Sequence, residues 1–190
     1  MQISFGKKIP IAQCQIYDNQ QQKFVKAVIS EFDCKDKSDI TEIKSLGPNW
    51  QYKETISSNM GIKNFLITKG RKYEGRFLAI ENPEGEIIGI SHFDDLKRKS
   101  ELRFLESRKD HRYKYVGQNL IATIGKILIN TNQSKLIVRS AVPTAIDFYE
   151  KTCGFKNLGH YDLEMDNDDI QRFIKQTEDR TETKIIDLQG

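Results

Sequence analysis

From Arg76 onward the pattern of apolar runs and polar turns sharpens: "RFLAIEN", the turn "PEGE" and "IIGISHF" predict a β-hairpin bounded by Pro83 and Gly85. "ELRFLES" predicts a third strand. The period then changes, because Val116, Leu120, Ile124, Ile127 and Leu128 recur at three- and four-residue steps, which predicts a helix with one buried face, ending near "NTNQS". "KLIVRSA" follows as a buried strand, and "PTAIDFYEKT" as a helix with Pro143 in its first turn. "HYDLEMD" predicts a further strand, "NDDIQRFIKQ" a short amphipathic helix with acidic residues at its start, and "TKIIDL" a last strand. Upstream, "IPIAQCQIY" and "FVKAVISEF" flank the polar "DNQQQ" and predict an N-terminal hairpin. Residues 36–66 carry two weaker helical patterns, the first starting near Ser38 or Asp39 and stopping around "LGP", the second within "QYKETISSNMGIKNF". Strands, helix, strand, helix and strand in that order predict an α/β sheet of mixed direction.

Composition narrows the function classes. At 190 residues the chain is long enough for one domain with a real core, and 37% hydrophobic with 30% charged residues is the balance of an ordinary folded protein. A net charge of +3 argues against a dedicated nucleic-acid-binding face but leaves room for a local basic site. Cys14, Cys34 and Cys153 form no C-x-x-C pair, and His92, His111 and His160 lack metal-ligand spacing, so neither a disulfide scaffold nor a metal centre is expected. The start "MQISFGKKIPIAQ" has no long apolar stretch, and no run is long enough to span a membrane, so a cytoplasmic protein is expected.

The basic residues are not spread evenly. In "ESRKDHRYKYVGQNLI", Arg108, Lys109 and Arg112 precede Tyr113, Lys114 follows it, and Gly117 opens the helical stripe. The first N–H groups of a helix lack intrahelical partners and carry the positive end of its dipole, so this arrangement suits a bound phosphate, with Gly117 allowing close approach. A solvated, charged loop leading into a core helix is the plainer alternative.

The wider stretch "LRFLESRKDHRYKYVGQNLI" resembles the signature of the GNAT superfamily of acetyl-CoA-dependent N-acetyltransferases: a strand, a loop ending in Q/R-x-x-G-x-G/A, and a helix. Arg112 stands at the Q/R position and Gly117 at the final G/A, while Tyr115 replaces the first glycine. "AIDFYEKTCGF" is similar to the later GNAT segment A-x-x-F-Y-E-K-x-G-F, with one extra residue before Gly154 and Phe155 and with Val142 where Asn is often found. The resemblance spans Phe77 to Glu164.

The resemblance implies a GNAT-type mixed central sheet flanked by helices, with an extra N-terminal β-hairpin. A single acetyltransferase domain is expected over 1–190, with acceptor-side helices in 36–75 and an acetyl-CoA-binding core in 76–165; the hairpin in 1–35 and the C-terminal helix and tail in 166–190 lie outside the resemblance. Acetyl-CoA would serve as co-substrate, with no metal and an amine as acceptor. Backbone groups of Leu105, Glu106 and Ser107 would hold pantetheine, and those of Arg112, Tyr113, Lys114, Tyr115, Val116, Gly117 and Gln118 the pyrophosphate. Glu101 is implied as general base and Tyr149 as the acid that protonates the departing thiolate, with a backbone N–H near Leu105 for the oxyanion.

Strand alternation places 101, 103, 105 and 107 on one face, and Glu106 on the other unless a bulge shifts the register. Cys153 is expected as a small buried residue rather than a nucleophile. The acceptor pocket would draw on residues 37–75, where Trp50 lies, and 156–165, where Asp162 and Glu164 could attract a cationic amine. The exposed edge of the hairpin would offer a route to a homodimer. Two rival readings stand beside the enzyme: a non-catalytic CoA-binding or protein-interaction module, and nucleic-acid binding through Arg103, Arg108, Lys109, Arg112 and Lys114.

Overall fold

The computed structural model describes residues 8–32, 36, 38–39, 41–42, 75–96, 99–108 and 110–188. The second weak helical pattern, most of the first, Trp50, Cys34 and Lys109 lie outside the described residues.

The strands are β1 (Ile9–Asp18), β2 (Lys23–Phe32), β3 (Gly75–Glu81), β4 (Ile87–Leu96), β5 (Lys99–Ser107), β6 (Tyr113–Lys114), β7 (Lys135–Val138), β8 (Lys156–Gly159), β9 (Asp162–Asp166) and β10 (Ile186–Asp187). They form one sheet in the order β10-β1-β2-β3-β4-β5-β7-β9-β8, with β6 also pairing β1. Among these pairings only β5 with β7 is parallel. A parallel pair needs a crossover, and helix α1 (Val116–Asn130) supplies it.

The apolar stripe of α1 does what its spacing predicts: Leu120, Ile124 and Leu128 are fully buried in a core shared with Ile16, Ile29, Leu78, Ile80 and Phe93 of the sheet. Helix α2 (Asn167–Arg180) packs on α1. A Cβ on Gly125 would lie 2.7 Å from Cγ2 of Ile170, so only glycine allows the two helices so close. Gly89 brings α1 down onto the sheet by the same means, since a Cβ there would lie 2.3 Å from Cγ1 of Val116 and 2.8 Å from Cγ2 of Ile80. Gly89→Ala is expected to destabilise the protein by about 1–3 kcal/mol through overpacking, read as a lower urea midpoint with an unchanged slope. On the opposite sheet face Phe32, Phe77, Ala79, Ile87 and Ile90 form a second apolar cluster, with Phe104 against it.

Several expectations need refinement or correction. The N-terminal hairpin is present as expected, and β2 pairs β3 from Val28↔Glu81 to Phe32↔Phe77, which makes it part of the central sheet. Its outer strand is covered by β10 at Ala12 and Gln13 and by β6 at Tyr17 and Asp18, which removes much of the free edge on which a homodimer would build. In "HYDLEMD" the strand begins at Asp162. His160 and Tyr161 form a turn at φ 51° and 65°, and the preceding Lys156–Gly159 is a strand of its own.

"PTAIDFYEKT" is a 3₁₀ turn at Pro143–Ala145 followed by a π-helical segment at Phe148–Cys153. A π turn accommodates one residue more than an α turn, which is how the extra residue before Gly154 is absorbed. Gly154, at φ 81°, ends the segment, and Phe155 N–H donates to Tyr149 O at 3.0 Å.

Candidate active site

Strand β5 pairs β7 only at Ser100↔Leu136, Glu101↔Ile137 and Leu102↔Val138. Beyond Leu102, β5 runs on to Ser107 with no β7 partner among the described residues, so backbone groups of Arg103 to Ser107 on that side lie open to a ligand strand. Just beyond this opening is the start of α1: a Cβ on Gly117 would meet Phe148 Cζ at 3.1 Å and Leu105 Cδ2 at 3.7 Å. Glycine at 117 therefore eases the seating of Phe148 beside the helix start.

The register of β5 also differs from simple alternation. His92 pairs Phe104 while Phe93 pairs Leu102, which leaves Arg103 as an inserted residue in a β-bulge. The bulge puts Glu101, Phe104 and Glu106 on one face, opposite Asp94, His92 and Ile90, and turns Leu102, Leu105 and Ser107 toward α1. The expected grouping of 101, 103, 105 and 107 is thereby overturned. Glu106, set aside on alternation, shares a face with Glu101 and is likewise buried.

Glu101 sits where the strands part. Its Oε1 takes Nη1 of Arg103 at 2.5 Å, and its Oε2 lies 3.6 Å from Nε of Arg139. Arg103 also holds Asp94 at 2.6 Å and Arg139 holds Asp162 at 2.9 Å, so five charges from β4, β5, β9 and the residue after β7 form one chain across the sheet. The side chain of Glu101 is 9% exposed. The sequence singled out Glu101 but neither Arg139 nor Asp94, whose approach depends on strand pairing. His92 on the same face is buried against Phe77, and that burial lowers its pKa. Asp162 and Glu164 are held by Arg139 and by Lys135 at 2.8 Å, so both acids already have cations.

Tyr149 lies in the π-helical segment, 7% exposed, its ring edge-on to Phe148 at 5.4 Å and Phe155 at 5.3 Å. Cys14 and Cys153 are both buried, which pushes the Cys14 thiol up to about 12 and raises that of Cys153 as well. Neither is set up as a nucleophile near neutral pH.

The start of α1 is chemically bare. Its N-cap, Tyr115, offers no side-chain hydrogen bond and its first turn holds no acid, whereas α2 is capped by reciprocal Asp166 and Asp169 bonds with Asp168 beside them. Among the described residues no side chain caps the N–H groups of Val116, Gly117 and Gln118. Tyr115 holds φ 69°, a left-handed conformation that glycine adopts freely, which gives the physical reason for a glycine in the resembling motif. Tyr115→Ala keeps the strain and Tyr115→Gly removes it, so the glycine variant is expected to be more stable by about 1 kcal/mol, and equal denaturation midpoints would contradict that strain.

The basic residues upstream are largely committed. Arg112 donates from Nε and Nη2 to Asp18 Oδ2 at 3.1 and 2.8 Å, and Arg108 holds Glu86 at 2.9 Å and Asp110 at 2.7 Å. Arg112 therefore pins the loop to the hairpin through its side chain. The guanidinium, followed by the N–H groups of Gln21 and Gln20, holds the Asp18 carboxyl below the usual carboxylate range against the opposing effect of burial. That stabilisation is complete above the unfolded aspartate pKa of about 3.9 and is lost as pH falls through the lower folded value. Asp18→Asn is expected to lower stability at pH 6 and to flatten its decline on acidification, measured by urea unfolding across that range.

No family model matches the sequence, and no curated protein does. Solved structures match in shape. Gcn5 of Tetrahymena superposes with a TM-score of 0.50 at 15% identity, over 67% of this chain and 85% of that one. The spermidine/spermine N-acetyltransferase SpeG of Vibrio cholerae gives 0.52 at 18%, over 77% and 98%. The PaiA N-acetyltransferase of Thermoplasma acidophilum, in complex with coenzyme A, gives 0.52 at 17%, over 74% and 98%.

Proposed function

We propose, on the premise that this chain has the fold of the GNAT acetyltransferases, that it is a single-domain cytoplasmic enzyme moving an acetyl group from acetyl-CoA to a primary amine. The observation that carries this reading is the uncapped, acid-free start of α1 set beside the unpaired half of β5. An extended thioester arm requires backbone partners and its diphosphate requires helix N–H groups, and the two lie next to each other here.

Pantetheine then runs along Leu105, Glu106 and Ser107, and the pyrophosphate rests on the backbone of Arg112, Tyr113, Lys114, Tyr115, Val116, Gly117 and Gln118. An alkyl ammonium, with a pKa of about 10.4, has no lone pair, so it must lose a proton first; Glu101 accepts it. The neutral nitrogen attacks the thioester carbonyl, a C–N bond forms, and the oxyanion takes a backbone N–H near Leu105. Collapse breaks the C–S bond, the departing thiolate takes a proton from Tyr149, and the second proton that the nitrogen sheds on becoming an amide nitrogen restores the Tyr149 hydroxyl. Tyr149→Phe is expected to lower turnover by at least about tenfold with acetyl-CoA affinity nearly unchanged, read as thiol release in an amine screen. Full turnover in that variant removes Tyr149 from the acid role.

A second reading, a CoA-binding module without turnover, is favoured by Tyr115 at the glycine position. It predicts saturable acetyl-CoA binding with no thiol release for any amine. The nucleic-acid reading loses support because Arg103, Arg108 and Arg112 already hold carboxylates.

A further inference from the structure

We infer that Asp162 is a positioning residue for Glu101: it holds Arg139 aside and so keeps one oxygen of the Glu101 carboxylate open to the acceptor amine. The inference rests on the base role proposed above for Glu101. The chain treats the two oxygens of that carboxylate differently. Oε1 accepts from Nη1 of Arg103 at 2.5 Å. Oε2 accepts no hydrogen bond among the described residues, although Nε of Arg139 lies 3.6 Å away, just beyond hydrogen-bond reach. A carboxylate gripped at both oxygens by guanidinium groups leaves little room for an approaching amine, whereas one gripped at a single oxygen is oriented and still accessible.

What draws Arg139 away from Oε2 is Asp162. Its Oδ2 takes Nη1 of Arg139 at 2.9 Å and its Oδ1 accepts the backbone N–H of Ser140 at 3.0 Å, so one acid holds the side chain of residue 139 and the backbone of the next. The backbone on both sides of this contact is strained. Ser140, His160 and Tyr161 all take left-handed conformations, at φ 51°, 51° and 65°, and Ala141 N–H donates to Tyr161 O at 2.9 Å. Strain kept on both flanks of one ion pair points to use of that pair. About half of the Arg139 side chain is in solvent, so the guanidinium can turn between its two acids, and Glu101 is the more buried of them. With the charge on Asp162 removed, Glu101 is the one remaining ion-pair partner of Arg139 among the described residues, and attraction in the drier setting draws the guanidinium onto Oε2.

The test compares wild type, Asp162→Asn and the double variant Asp162→Asn/Arg139→Gln. Asparagine keeps an oxygen for the Ser140 N–H while losing the charge that holds Arg139. Thiol release is followed with acetyl-CoA and three primary amines, spermidine, tyramine and a lysine-containing peptide, and melting temperatures control for folding. Crystal structures of wild type and Asp162→Asn give the distance from Arg139 to Oε2. The expected result is a loss of about tenfold or more in kcat/KM for the amine in Asp162→Asn, acetyl-CoA affinity within about twofold, and recovery of most of the loss when Arg139→Gln is added. A merely structural Asp162 gives additive losses instead. In the Asp162→Asn crystal a nitrogen of Arg139 should lie within about 3.2 Å of Oε2. Full activity in Asp162→Asn, a double variant no better than the single one, or an unchanged distance overturns the inference. Absence of thiol release from wild type with every amine refutes the proposed function instead, and the crystal distances alone then decide whether Asp162 holds Arg139 off the carboxylate.

Discussion

Glu101→Gln is expected to lower kcat/KM toward an amine acceptor by about 10²–10⁴-fold near neutral pH, the range that a positioned general base supplies. The substitution keeps the side chain's shape between Arg103 and Arg139 while removing its capacity to take a proton. The loss should shrink as pH rises, because a growing fraction of an amine with a pKa of about 10.4 then arrives already neutral. Acetyl-CoA affinity should stay within about twofold, since the carboxylate lies at the closed end of the fork and the cradle at the other. A variant as active as wild type at neutral pH would take the base role from Glu101. Glu106→Gln is the comparison, because the bulge at Arg103 turns both carboxylates to one face.

Gln118→Glu is expected to move two properties in opposite directions. A carboxylate in the first turn of α1 completes the dipole at a helix start that now has no acid, which should stabilise the fold by about 0.3–1 kcal/mol. The same charge faces the place assigned to the diphosphate and should weaken acetyl-CoA binding by more than about tenfold. A purely structural role for the bare helix start predicts the gain in stability without the loss of binding. The paired signs therefore separate a ligand site from a helix that merely lacks a cap.

Elements with a strong local period were legible in the sequence: the α1 stripe, the β3–β4 hairpin and the first hairpin all lie where alternation or three- and four-residue spacing placed them. What escaped depended on pairing rather than on period. The bulge at Arg103 has no local mark, and it reversed which residues accompany Glu101. Arg139 and Asp162 join Glu101 only because β7 and β9 lie beside β5 in the sheet. The extra residue before Gly154 was visible, but its accommodation as a π turn was not, because an insertion can also be absorbed by a loop. The sequence shows a basic run before α1 but not that Arg112 pairs with Asp18 at a sequence separation of 94. That Gly117 also packs against Phe148 depends on a later segment of the chain, which the local motif does not show.

The most direct test of the central claim is calorimetric titration of the wild-type chain with acetyl-CoA, alongside Gln118→Glu. The account predicts saturable one-to-one binding to wild type and a loss of more than about tenfold in the variant at equal or higher stability. Absence of binding to wild type, or equal affinity in the two proteins, would contradict a cofactor cradle at the start of α1.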